Sequence, residues 1–159
     1  MTVGLKVLES RNRDGGRRMK PDNKKKKELV LAALKARERA YAPYSGYAVG
    51  AALLTKTGKV YTGCNIENAS FGATNCAERT AFFKAVSEGE KAFTAIAIAG
   101  AKAGEEVSDY AYPCGLCRQV MQEFCDADFL ILIGTVNGEY KEHTLAELLP
   151  YGFGGDNLT

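Results

Sequence analysis

Phe93-Thr94-Ala95-Ile96-Ala97-Ile98-Ala99 and Phe129-Leu130-Ile131-Leu132-Ile133-Gly134 decide the architecture of this chain. Each is a strand-length apolar run with almost no polar interruption, so each reads as a strand buried on both faces. Between them, Gly115–Cys125 sets Leu116, Val120, Met121 and Phe124 on one face of a helix. Two buried strands joined by a helix are expected to lie parallel through a right-handed crossover, with helices covering the sheet.

The surrounding segments extend this pattern. A helix opens near Cys76, runs to about Glu88 and is ended by Gly89, after a polar segment at Cys64–Asn75. Further upstream, Tyr47–Thr55 and Lys59–Gly63 are strand-like and flank a hairpin at Lys56-Thr57-Gly58. A first amphipathic helix runs from Lys24 to about Tyr41, with Leu29, Val30, Ala33, Leu34 and Ala40 at helical spacing, and Pro43 stops it. Residues 101–112 read as a loop. After the second buried run, Asn137-Gly138 signals a tight hairpin into a strand at Glu139–His143. Thr144-Leu145-Ala146-Glu147 has the capping-box spacing for a last short helix. The order α-β-β-α-β-α-β-β-α predicts an α/β fold, a three-layer α/β/α sandwich with a five-stranded mixed sheet.

The chain has 159 residues, 46% of them apolar, which suits one domain with a real core. No apolar run is long enough to span a bilayer. The net charge of +2 hides an asymmetry: residues 1–27 carry ten Lys/Arg against three acidic side chains, and the other 132 residues carry 11 basic and 16 acidic ones. An acidic core argues against nucleic-acid binding and for a small substrate. Residues 1–23 lack periodicity and read as a disordered basic tail, more simply a solvated extension than an arm for nucleic acid or membrane. Residues 24–159 form the single domain, and Met19 offers an alternative start. The charged N-terminus has no secretory apolar core, so a cytoplasmic protein is expected. Its five cysteines then read as free or metal-bound thiols.

Cys76-Ala77-Glu78-Arg79 and Pro113-Cys114-Gly115-Leu116-Cys117 carry the chemistry. Singly, each has a bland reading. Cys76 would be a small buried hydrophobe, Glu78 would complete a capping box with Asn75, and Cys114 with Cys117 would be a redox pair or half of a structural zinc site. A structural site needs a fourth ligand, and Cys64, Cys125 and His143 supply no second paired motif. Three thiols, Cys76, Cys114 and Cys117, with one unassigned carboxylate, Glu78, fit an open catalytic zinc better, in which a non-ligand acid moves protons. Each cysteine opens a helix, where the N-terminal N–H groups and partial positive charge favour thiolate. A trithiolate zinc centre is net negative, and Arg79 is placed to donate to a thiolate and restore the metal's acidity.

Those motifs, with Tyr44-Ser45, Val49-Gly50-Ala51-Ala52-Leu53-Leu54, Gly63-Cys64-Asn65-Ile66-Glu67-Asn68-Ala69 and Leu148-Leu149-Pro150 with Phe153, resemble the small homotetrameric zinc-dependent cytidine deaminases over about residues 24–158. The resemblance implies their fold and one Zn²⁺ per subunit on Cys76, Cys114 and Cys117, with Glu78 as proton shuttle. It further implies Asn65 and Glu67 on the ribose 3′-hydroxyl, Tyr47 near the base, Ala77 among the substrate-binding residues, and Phe71 and Phe153 reaching a neighbouring subunit's pocket. Tyr47 stands where the family usually has Phe, so its hydroxyl needs a partner. Tyr112 replaces a small residue before Pro113.

The implied reaction is hydrolysis of cytidine and 2′-deoxycytidine to uridine and 2′-deoxyuridine with release of ammonia, a step of pyrimidine salvage. Neither nucleic acid nor membrane is an expected partner. The nearest rival is deamination of a related cytosine nucleoside such as blasticidin S. Polynucleotide deaminases typically join their last two strands by a helix, making them parallel, whereas Asn137-Gly138 predicts an antiparallel hairpin. A nucleic-acid-binding zinc module using the basic tail is the reading from another class, separable by removing residues 1–23.

Overall fold

The computed structural model describes residues 20–158. Residues 1–19 and Thr159, and with them most of the expected tail and Met19, lie outside the described residues. Pro21 is buried, and the Asp22 carboxylate accepts the Lys25 N–H at 2.7 Å, capping the first helix.

That helix, α1, spans Asn23–Arg37, shorter than its apolar spacing suggests. The amides of Glu38, Arg39 and Ala40 bond carbonyls three residues back, tightening the chain. Tyr41 is then drawn into a bridge with Ile66, so the helix ends before Pro43 is reached. The remaining elements are β1 (Tyr47–Thr55), β2 (Val60–Cys64), α2 (Ala77–Ser87), β3 (Phe93–Lys102), α3 (Gly115–Phe124), β4 (Leu130–Gly134), β5 (Tyr140–Thr144) and α4 (Leu145–Leu148). β3 outruns its apolar stretch because β1 pairs with it along its whole length, from Tyr47 opposite Lys102 to Thr55 opposite Phe93.

The sheet order is β2-β1-β3-β4-β5. β3 and β4, the two buried runs, form its parallel pair, with Ala95 opposite Leu130 and Ile98 opposite Ile133. All other neighbours are antiparallel. α2 also joins strands of like direction, β2 and β3, but β1 lies between them. β4 returns into β5 through Asn137 and Gly138, whose φ angles of 63° and 75° are the left-handed values that an Asn-Gly turn uses. Thr144 and Glu147 form the capping box of α4.

Side chains of the sheet alternate between two dry layers. Leu53, Ile96, Ile98, Ile131 and Ile133 pack under α2, α3 and α4 with Phe82, Met121 and Leu145. Ala52, Leu54, Ala95, Ala97, Ala99, Leu130 and Leu132 face Leu29, Val30 and Ala33 of α1. Both faces are therefore apolar, which is why the central strands show no hydrophobic alternation. β2 and β5 are the edges: Lys84 donates to the Thr62 carbonyl of β2, and Glu142 of β5 pairs with Lys26 at 2.7 Å. No helix among the described residues is long and apolar enough to cross a membrane.

Two glycines set how close the helices come. A Cβ on Gly50 would lie 2.0 Å from the Ala33 carbonyl oxygen of α1. One on Gly63 would lie 2.4 Å from the Ala77 carbonyl oxygen and 2.6 Å from the Ala81 nitrogen of α2. Backbone cannot yield as a side chain can, so Gly63→Ala should cost about 1–3 kcal/mol in urea unfolding. Gly72→Ala, with open space around it, should stay within about 0.5 kcal/mol of the parent.

Candidate active site

α2 and α3 lie side by side on one face of the sheet, and each begins with a cysteine. Cys76 is the N-cap of α2, Cys114 is the N-cap of α3, and Cys117 lies in the first turn of α3. Neither cap sulfur is spent on a side-chain capping bond. The sulfurs converge: Cys76 to Cys114 is 3.8 Å, Cys114 to Cys117 is 3.5 Å, and all three fall within 4.8 Å of one another. Sulfurs about 2.3 Å from one tetrahedral zinc lie roughly 3.8 Å apart, so the trio fits one Zn²⁺ without rearrangement.

The capping-box alternative for Glu78 is not realised. Asn75 donates its amide to Thr80 Oγ1 at 3.1 Å, and Cys76 takes the cap position. Glu78 is left in the first turn of α2 with 4% of its surface exposed. Burial pushes its carboxyl up to about 7, against the opposing pull of its own backbone N–H and the Cys117 thiol. A carboxyl poised between its two forms near neutral pH suits a group that must both take and give a proton.

The sulfurs share protons unevenly. Cys76 is brought down to about 5, first because the Cys117 thiol donates to it and then because Arg79 does. Cys117, as that donor, is pushed up. Arg79 Nη2 reaches Cys76 Sγ at 3.6 Å and the Thr74 carbonyl at 3.2 Å, the contact its place beside Glu78 suggested. A divalent cation displaces the remaining thiol protons, since only thiolates ligate it.

Asn65 and Glu67, between β2 and α2, grip the start of β1 and the turn before it. Asn65 Oδ1 accepts the Val49 N–H and Nδ2 donates to the Tyr47 carbonyl, each at 2.8 Å. The Glu67 carboxylate accepts the Ser45 hydroxyl and the N–H groups of Tyr44 at 2.8 Å and Ser45 at 3.2 Å. These donors, the Ser45 hydroxyl foremost, hold its carboxyl below the ordinary glutamate range. Glu67, Tyr44, Ser45, Phe71 and Thr74 line a cleft of about 350 Å³. Thr74 joins the two halves of the region, because its carbonyl takes the Arg79 bond.

The other residues singled out in the sequence are more dispersed. Tyr47 finds the partner its hydroxyl needed, donating to the Gly100 carbonyl at 3.0 Å. Ala77 is fully buried at the start of α2 and offers only backbone. Phe71 and Phe153 are exposed by 78% and 56%. Tyr112 sets its ring edge-on to His143 of β5, 5.5 Å between centroids. Tyr44, Ser45 and Thr74 had no role assigned from sequence. The first two lie in a motif already singled out, while nothing in the chain marked Thr74.

Residues 23–133 match the family model for the cytidine and deoxycytidylate deaminase zinc-binding region. The chain belongs to this zinc-binding deaminase family. A cytidine deaminase of Halalkalibacterium halodurans is 50% identical over 130 residues, 82% of this chain and 95% of that protein. One from Sporosarcina psychrophila is 47% identical over 132 residues, 83% of this chain and 93% of that protein. The crystal structure of cytidine deaminase from Burkholderia pseudomallei superposes with a TM-score of 0.72 at 46% identity, covering 79% of this chain and 97% of that one.

Metal analysis should find one zinc per chain in the parent and none in Cys114→Ala, where two thiolates remain. Glu78 also gives the metal-free protein a pH-dependent weakness. Its folded-state pKa lies above its ordinary 4.5, so its contribution to stability is complete below pH 4.5 and is lost as pH rises through about 7. Glu78→Gln should stabilise the metal-free protein at alkaline pH by up to roughly 3 kcal/mol and have little effect at acid pH, as read by urea unfolding at both.

Proposed function

We infer that this chain hydrolyses cytidine to uridine and ammonia, and takes 2′-deoxycytidine as well, as a step of pyrimidine salvage. The observation that carries the reading is the convergence of three sulfurs from the starts of α2 and α3 beside a buried carboxylate in the first turn of α2. Zinc on Cys76, Cys114 and Cys117 would supply a Lewis acid that makes water nucleophilic near neutral pH.

Glu78 carries the protons. It takes one from the attacking water, delivers it to N3 of the pyrimidine and so makes C4 electrophilic, then relays a proton to the departing amino group. Arg79 draws charge from the Cys76 thiolate, which offsets the excess negative charge of a trithiolate set. Asn65 and Glu67 hold the ribose 3′-hydroxyl as donor and acceptor. Each retains hydrogen-bonding capacity beyond its bonds to residues 44–49, and those bonds fix its orientation beforehand. Tyr47, tethered at Gly100, and the backbone of Ala77 complete the base end.

Phe71 and Phe153 serve a neighbouring subunit's pocket in a homotetramer, which accounts for two aromatic rings left in solvent by one chain. A site of three thiolates needs cysteines kept reduced, which supports a cytoplasmic setting. The antiparallel return of β5 and the acidic core favour a free nucleoside over a polynucleotide.

An ultraviolet assay of cytidine beside blasticidin S, with and without a zinc chelator, tests the reading. Chelator-sensitive conversion of cytidine is expected, and faster turnover of blasticidin S would overturn the substrate. Glu78→Gln should keep its zinc and lose about 10²- to 10⁴-fold in kcat. Turnover close to the parent's would remove Glu78 from its role.

A further inference from the structure

Arg118 and Gln119 follow Cys117 directly on α3, and each side chain ends on a main-chain carbonyl. Arg118 donates through Nε to the Pro113 carbonyl at 2.8 Å and through Nη1 to the Leu148 carbonyl at 2.6 Å. Gln119 donates through Nε2 to the Phe153 carbonyl at 2.8 Å. One guanidinium thus bridges the loop that delivers Cys114 and the last residue of α4. The neighbouring amide fixes the chain five residues further on.

Between those two anchors Tyr151 holds φ at 58°, a left-handed backbone that a bulky residue rarely adopts. Its side chain is fully exposed, so side-chain burial does not account for the turn. A conformation of this kind persists where the surroundings over-determine it, and the two carbonyl anchors do so from either side. The strap also lies close against α3. A Cβ on Gly152 would come within 2.9 Å of the Leu149 side chain and 3.1 Å of Gln122 Oε1.

We propose that Arg118 and Gln119 are positioning residues that clasp the strap 148–153 to the metal-bearing end of α3, coupling zinc retention to the placement of Phe153. This rests on the reading above, in which Cys114 and Cys117 hold zinc and Phe153 serves a nucleoside pocket. Arg118 is the shared element. Its planar fork serves two carbonyls from one fixed geometry, which a lysine ammonium does not reproduce. Coupling of this kind is reciprocal: a firmer loop steadies the strap, and a firmer strap steadies the loop. Gln119 touches the strap alone, so it sets Phe153 without holding the loop.

The chain has no tryptophan, so Phe153→Trp supplies a single tryptophan, excited apart from the tyrosines at the red edge, on the strap. In that background, stripping zinc from the holoenzyme with a chelator should shift the emission, and adding Arg118→Lys should cut the shift by more than half. Zinc transfer to a chromophoric chelator should be about tenfold faster in Arg118→Lys than in the parent. Gln119→Ala should raise KM for cytidine about fivefold with kcat unchanged and, because the coupling runs both ways, speed zinc release only slightly, well short of the Arg118→Lys effect, a split that general loss of stability does not produce. Parent-like zinc release in Arg118→Lys, or emission indifferent to zinc, overturns the clasp. Should Arg118→Lys fail to fold, the zinc-dependence of emission decides alone. Where Phe153→Trp itself changes KM, an unchanged KM in Gln119→Ala also overturns it. A KM indifferent to Phe153→Trp removes instead the reading of Phe153 at a pocket, and zinc release and emission then decide the clasp.

Discussion

Three sulfurs within 4.8 Å of one another, each negative once it ligates a metal, are the constraint around which this molecule is arranged. Such a cluster repels itself, and the fold counters that with fixed positive ends. The N-termini of α2 and α3 meet there, and Arg79 adds a full charge at 3.6 Å from Cys76. The helices meet because the connections into β3 and β4 place them together over one face of the sheet. Gly63 then lets α2 settle against β2 at backbone distance. The position of the Glu78 carboxyl follows from the same geometry: in the first turn of α2, within reach of the Cys117 thiol, and out of water. Its poise near neutrality arises from burial, so any change that admits solvent to this corner would alter the acid as well as the metal.

Much of this was legible in the sequence, and for physical reasons. Phe93–Ala99 and Phe129–Gly134 are unbroken because both of their faces are dry, and a fully buried strand leaves that signature. Asn137-Gly138 announced its turn because few other pairs tolerate two left-handed residues in succession. The metal trio could be read because thiols opening two helices admit few other chemistries. Helix ends were read less well: α1 stops at Arg37 because Tyr41 is captured by Ile66, a contact between residues far apart in the chain. Pro21 and Asp22, grouped with a charged tail by composition, are tied down by contacts that composition does not show, one buried and the other capping α1.

Asn65 and Glu67 show where pattern ends and geometry begins. As letters they are a polar stretch after a strand, as suited to a turn as to a ligand. In the fold they bond residues 44–49 and keep hydrogen-bonding capacity for a further partner. The hydroxyl of Tyr47 was an open question that only the neighbouring Gly100 carbonyl answers. Thr74 was invisible because its link to Arg79 runs through a main-chain oxygen, which any residue type would offer.

The borders of the sheet carry a consequence for how copies of this chain can associate. A bare terminal strand invites another molecule to continue the ladder, the first step toward fibrils. Here β2 has a lysine amine laid across one of its carbonyls, and β5 presents lysine, glutamate and histidine in succession. Ladder growth from either border is thereby discouraged. The bare aromatic surface of the chain lies elsewhere, at rings such as Phe71 and Phe153 outside the sheet, where no ladder can be continued.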